Sequence, residues 1–207
     1  MVVIFDYRTP QQKAKMRALN ASEKLGIVNL DTIFQISEED QQKLIADPSA
    51  AKNFSESLIA PVAGTSISLK NCGDRAFAMK ALGEGLAISP KDEKTKVASP
   101  VNGEVTSVSK SKHAYTIMSE NNVGVLVHVG LDTVKLNGEG FDVKVTEGDV
   151  VKAGDVLANV DFKKIKEAGF ETNTIVTVIN TADMKSVEPL TKDKDLKLGD
   201  KIIDIQV

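Results

Sequence analysis

The chain contains two histidines, His113 and His128, standing fifteen positions apart in 207 residues. His113 opens the run Lys112-His113-Ala114-Tyr115-Thr116-Ile117, and His128 closes Val125-Leu126-Val127-His128-Val129. Two strands of about five or six residues joined by a turn cover that separation, and Glu120-Asn121-Asn122 supplies the turn. A hairpin of this kind sets the two imidazoles side by side. Imidazole exchanges its proton near neutrality, so a facing pair suits proton handling, metal binding or nucleophilic use. A single histidine in an apolar strand is more commonly a hydrogen-bonded structural residue, and that reading stands beside the reactive one.

Asp132, four residues after His128, offers a carboxylate that would complete a facial metal set. An aspartate directly after a strand and before Thr133 is more commonly a turn former. Gly138, Gly140 and Gly148 lack the Lys-Ser or Lys-Thr frame of a phosphate-cradling loop, so direct ATP use has no support. There is no Gly-x-Ser-x-Gly elbow. Glu147-Gly148-Asp149 and Lys152-Ala153-Gly154-Asp155 bring a biotinyl or lipoyl carrier to mind, but Met184-Lys185 lies outside the hairpin such a carrier modifies. A zinc hydrolase needs more histidines than the chain has.

These side chains have to be held by a scaffold, and composition restricts what it is. Apolar residues make up 42% of the chain and charged ones 27%, while aromatics reach only 4% with no Trp. Aliphatic residues must therefore build the core. The net charge of -3, with both signs interspersed, argues against nucleic acid as a partner. The lone cysteine, Cys72, permits no intrachain disulfide and reads as a small buried or turn residue. No apolar run approaches a membrane span and no export signal opens the chain, so the expected location is cytoplasmic.

In the first fifty residues the pattern predicts a helix from Thr9-Pro10 to about Leu25, short strands over 27–36, and a second helix from Ser37 to about Ala46. Residues 48–57 are small and polar and read as a linker, which places a boundary between 1–57 and 58–207. Beyond it come short apolar runs punctuated by Gly, Pro, Asn or Asp, from 59–62 through 103–108, 114–118, 123–129 and 174–179 to 201–205. That texture predicts an all-β fold, an antiparallel sandwich or barrel, with 162–168 its only helix. Gly148-Asp149 and Gly199-Asp200 sit in similar phrases that suit tight turns.

Residues 58–207 resemble the glucose-type enzyme IIA domain of the bacterial phosphoenolpyruvate-dependent sugar phosphotransferase system. The resemblance rests on Ile59-Ala60-Pro61-Val62-Ala63-Gly64, Leu82-Gly83-Glu84-Gly85, Ser99-Pro100-Val101-Asn102-Gly103, Lys112-His113-Ala114 and the long motif from His128 to Phe141. It implies an antiparallel β-sandwich acting as a cytosolic phosphocarrier without a cofactor. By that resemblance His128 is phosphorylated on Nε2, His113 stabilises the phosphoryl group, Ser111 is the hydroxyl neighbour and Asp132 the nearby acid.

The resemblance also implies two protein partners, the phosphocarrier HPr as donor and the IIB domain of a sugar permease as acceptor, with contact to the membrane only through the permease. Phe77, Leu82, Leu126 and Val134 match docking positions. Ser109 and Val176 depart from the residue types usual there, an aromatic and a proline respectively. Phe5-Asp6-Tyr7-Arg8-Thr9-Pro10 and the stretch from Ala18-Leu19 to Gln42 look like the ends of IIC and IIB domains, giving 1–57 the look of a short α/β remnant. A zinc ion shared by His113, His128 and a partner's carboxylate is expected only at a contact between proteins. An alternative is a regulatory protein that signals through its phosphorylation state.

Overall fold

The computed structural model describes residues 55–190 and 193–207, all within the unit Asn53–Val207. The helices, strands and IIC/IIB-like remnant expected before residue 55 lie outside the described residues. Among the described residues every strand pairing is antiparallel, as expected for hairpin-linked strands. The largest sheet takes strands in the order β13 (Asp195–Leu196), β2 (Gly64–Ser68), β3 (Glu84–Pro90), β11 (Thr174–Val178), β7 (Gly124–Val129), β6 (Ala114–Ser119), β5 (Gly103–Val108) and β9 (Val150–Val151). A second sheet places β10 (Val156–Asp161) between β4 (Lys94–Ala98) and β8 (Phe141–Val143). A third places β14 (Lys201–Gln206) between β1 (Ser55–Ile59) and β12 (Ser186–Pro189).

Alternation along the strands decides which side chains enter the core. In β7, Val125, Val127 and Val129 are fully buried, and Tyr115 and Ile117 of β6 lie beside them. They join Leu58, Ile203 and Ile205 from the third sheet and Val97, Leu157 and Val160 from the second in one cluster. The main core therefore sits between the large sheet and the two small ones, a β-sandwich. The opposite face of the large sheet carries Leu126, His128 and Ile175, and it is partly covered by the excursion between β2 and β3. That excursion contains a 3-10 turn, buried Cys72 and the short helix α1 (Arg75–Ala78).

The structure corrects the sequence reading at several points. Of the run 59–62 only Ile59 lies in a strand, as the last residue of β1; the strand stops before Pro61, which has no N–H for a ladder, and Ile59 and Ala60 donate to the Pro100 and Asp200 carbonyls. The strand lies earlier, with polar Ser55–Ser57 held against β14 and Ser57 Oγ donating to Asp204 Oδ1 at 2.7 Å. Helix α2 (Phe162–Glu167) forms where expected, but α1 makes it one of two helices among the described residues. The similar Gly-Asp phrases are explained by turn chemistry. Asp149 and Asp200 each accept the backbone N–H of the residue three positions earlier, at 2.7 and 2.8 Å, and Asp155 repeats the arrangement at 2.8 Å.

Candidate functional site

Register brings the histidines together. Ala114 is the cross-strand partner of His128, so His113, one residue earlier at the mouth of β6, lies beside the end of β7. The His113 carbonyl accepts the Val129 N–H at 2.7 Å, which fixes the two backbones there. The rings meet edge to face, with centroids 4.7 Å apart and planes at 83°. On its other side His128 meets the Phe77 ring at 5.3 Å and 66°. Helix α1 delivers that phenyl, and Asp74 caps the helix by accepting the Phe77 N–H at 3.0 Å.

The turn after β7 is built around one close approach. Gly130 has φ +72, and a Cβ there would lie 2.4 Å from Thr133 Cγ2 and 2.8 Å from the Glu171 carbonyl oxygen. Buried Thr133 donates its hydroxyl to the Val129 carbonyl at 2.7 Å, folding the Gly-Leu-Asp-Thr segment back onto the strand end. His128 is thus held from both sides at the edge of the core.

Burial sets the electrostatics. It pushes the His128 pKa down to about 4, with the charge of His113 acting in the same direction and the Gly130 backbone and the Asp74 carboxylate opposing. His113 is also lowered, by burial, against the pull of the Ser111 backbone. Both rings are therefore neutral near pH 7 and keep a free lone pair each. His128 Nδ1 is buried with no formed hydrogen bond, although the Gly130 backbone is close enough to favour a proton on the ring. A neutral imidazole with Nδ1 enclosed presents Nε2 outward.

Of the residues named from sequence, Ser111 stands where expected, its hydroxyl 3.0 Å from His113 Nδ1. Asp132 does not join the pair through any hydrogen bond. It is exposed, adopts φ 59 as the cap of a 3-10 turn, and forms an ion pair with Lys135 Nζ at 3.3 Å. Asp74, which the sequence did not single out, favours the charged form of His128, the weakest of the influences on its pKa. Among the described residues no group of three or more His, Cys, Asp or Glu is placed to hold a metal ion.

Phe77 is buried against His128, and Leu126 is half-buried in the same small cluster. Leu82 and Val134 are 41% and 51% exposed. Met79, 68% exposed, also projects from the α1 region and was not anticipated. Val176 is fully buried in the main core, on the opposite side of β11 from Ile175, so its departure from proline leaves the His128 face unaltered. No helix among the described residues is long and apolar enough to cross a membrane.

The family model for the phosphoenolpyruvate-dependent sugar phosphotransferase system, EIIA 1, matches residues 56–184. A PTS system glucose-specific EIIA component from Oceanobacillus iheyensis is 42% identical over 131 residues, 63% of this chain and 78% of that protein. A PTS system glucosamine-specific EIICBA component from Bacillus subtilis is 39% identical over 146 residues, 70% of this chain but 23% of that longer protein. Among solved structures, glucose permease IIA from Mycoplasma capricolum superposes with a TM-score of 0.65 at 35% identity, over 73% of this chain and 96% of that one. The antiparallel sandwich, the paired histidines and these matches agree: the chain belongs to the EIIA 1 family of the phosphoenolpyruvate-dependent sugar phosphotransferase system.

Proposed function

We propose that the chain is a phosphohistidine carrier that takes a phosphoryl group from phospho-HPr onto His128 Nε2 and passes it to the IIB domain of a sugar permease, in the cytoplasm, with 58–207 as the carrier unit and 1–57 as its appendage. The observation that carries this reading is the edge-to-face contact of two neutral imidazoles, His113 buried and His128 half-buried. A neutral Nε2 lone pair attacks phosphorus as the bond from phosphorus to the donor's carrier atom breaks, and that atom keeps the electron pair. The reverse sequence hands the group on. In this reading His113, 4.7 Å away between ring centroids, donates a hydrogen bond to a phosphoryl oxygen on His128, and Asp74 favours positive charge that develops on the ring.

Docking in this reading uses the apolar residues Phe77 and Leu126 of the small cluster together with the exposed Leu82 and Val134. Asp132, exposed and paired with Lys135, acts in this reading on a partner's cations rather than on the ring. Incubation with phosphoenolpyruvate, enzyme I and HPr tests the proposal: an acid-labile phosphoryl group on His128 is the expected product. A wild-type chain that stays unlabelled would exclude it.

A further inference from the structure

The second sheet carries a cavity of about 730 Å³ that neither histidine lines. Strand alternation puts Asn159 and Asp161 of β10 on the face opposite the core residues Ala158 and Val160. Register then sets Lys96 and Asp142 on either side of Asn159, and Lys94 beside Asp161. Lys164 of α2 and Leu198, 47% exposed, complete the lining, and buried Phe141 and Val160 lie at its floor.

The lysines of this lining outnumber its carboxylates, in a chain whose net charge is -3. Both carboxylates are already matched. Asp161 Oδ2 pairs with Lys94 Nζ at 3.0 Å, and Oδ1 accepts the Lys164 N–H at 3.1 Å as the cap of α2. Asp142 Oδ2 pairs with Lys144 Nζ at 2.7 Å and accepts Asn159 Nδ2 at 3.1 Å. Among the described residues Lys96 and Lys164 form no ion pair, and Asp142 Oδ1 and the Asn159 side-chain oxygen accept no hydrogen bond. Lys164 acts on the charge of Asp161, two positions along β10 from the Asn159 that Lys96 faces, so both ammonium groups serve the same face. The cavity therefore offers two uncompensated cations beside two unused acceptors.

We propose that this cavity binds a phosphorylated monosaccharide, with the phosphate on Lys96 and Lys164 and sugar hydroxyls donating to Asp142 Oδ1 and the Asn159 side-chain oxygen. Ammonium groups suit phosphate oxygens as charge-assisted donors. The acceptors suit hydroxyl donors, and the C–H face of a sugar ring packs on Leu198. The volume falls in the range of small-molecule sites, roughly 300–1,000 Å³. A long polyanion fits less well, because Asp142 and Asp161 interrupt the lysines.

The test is a titration of the full chain followed by amide proton–nitrogen spectra, with glucose-6-phosphate, inorganic phosphate and glucose as separate probes. Glucose-6-phosphate is expected to shift amides within 94–96, 140–142 and 159–164. The double variant Lys96→Gln, Lys164→Gln should weaken that binding by about tenfold or more, while Lys70→Gln with Lys152→Gln, an equal charge change outside the cavity, should leave it intact. Inorganic phosphate should bind severalfold more weakly than the sugar phosphate, glucose should shift nothing, and Asn159→Ala should remove the margin over inorganic phosphate. The proposal is overturned if no shift develops up to about 10 mM, if the shifts centre elsewhere, or if inorganic phosphate binds equally well. It is overturned also if the double variant binds like wild type, if the control pair weakens binding equally, or if Asn159→Ala keeps the margin. The same spectra report whether each variant is folded. Binding is read without phosphoryl transfer, so this site and the carrier reading stand or fall separately.

Discussion

His113 and His128 meet edge to face at 4.7 Å although neither donates a hydrogen bond to the other. The contact is set by register, through the pairing of Ala114 with His128, and burial keeps both rings uncharged. A positive charge on either ring would meet the other at close range inside a poorly solvated site.

Titration should show this directly. In the folded chain His128 remains neutral until pH nears 4, whereas an unfolded histidine takes its proton near 6.5. The unfolded state therefore binds more protons between those values. Stability is full above about pH 6.5 and is lost as pH falls toward 4, by on the order of 3 kcal/mol from this ring. Ring-proton shifts of His128 should show no inflection from pH 8 to 5, and a midpoint near 6.5 would contradict the burial argument.

Phe77 connects the small second cluster to the site, being buried at 4% exposure and packed edgewise on His128. Phe77→Ala should cost roughly 3 kcal/mol in denaturant unfolding. Because burial is the first cause of the lowered His128 pKa, the same substitution should move its midpoint back toward 6.5. Lost stability with an unmoved midpoint would separate the ring from the site's electrostatics.

Gly130→Ala places a methyl group against Thr133 Cγ2 and the Glu171 carbonyl at a positive φ. A destabilisation of about 1–3 kcal/mol is expected, together with slower phosphoryl acceptance, because the turn that ends β7 at His128 must shift. Equal stability and rate would show that the turn is more yielding than its close contacts imply.

Leu82 and Val134 separate docking from folding. Both are substantially exposed, so Leu82→Asp and Val134→Asp should change unfolding free energy by less than about 0.5 kcal/mol. Each should raise the HPr concentration needed for half-maximal transfer severalfold. Unchanged transfer kinetics would place the docking face elsewhere.

The sandwich and the histidine pair were legible because β6 and β7 bury alternate residues, Tyr115 and Ile117 in one and Val125, Val127 and Val129 in the other, and the interval from His113 to His128 matches one hairpin. The polar start of β1 was not legible, since Ser55 and Ser57 are recruited to the sheet by β14 from the far end of the sequence. Helix α1 is four residues long and depends on the Asp74 cap rather than on periodicity. Asp74 reaches the site only through that helix. Asp132 has the right spacing for the site, but its turn aims the carboxylate at Lys135.

The central claim is tested most directly by following labelled phosphate from phosphoenolpyruvate, through enzyme I and HPr, onto the wild-type chain, His128→Ala and His113→Ala. The account predicts acid-labile label on the wild type, none on His128→Ala, and label on His113→Ala that moves to a IIB domain at least tenfold more slowly. Label retained by His128→Ala would contradict the assignment of the carrier residue.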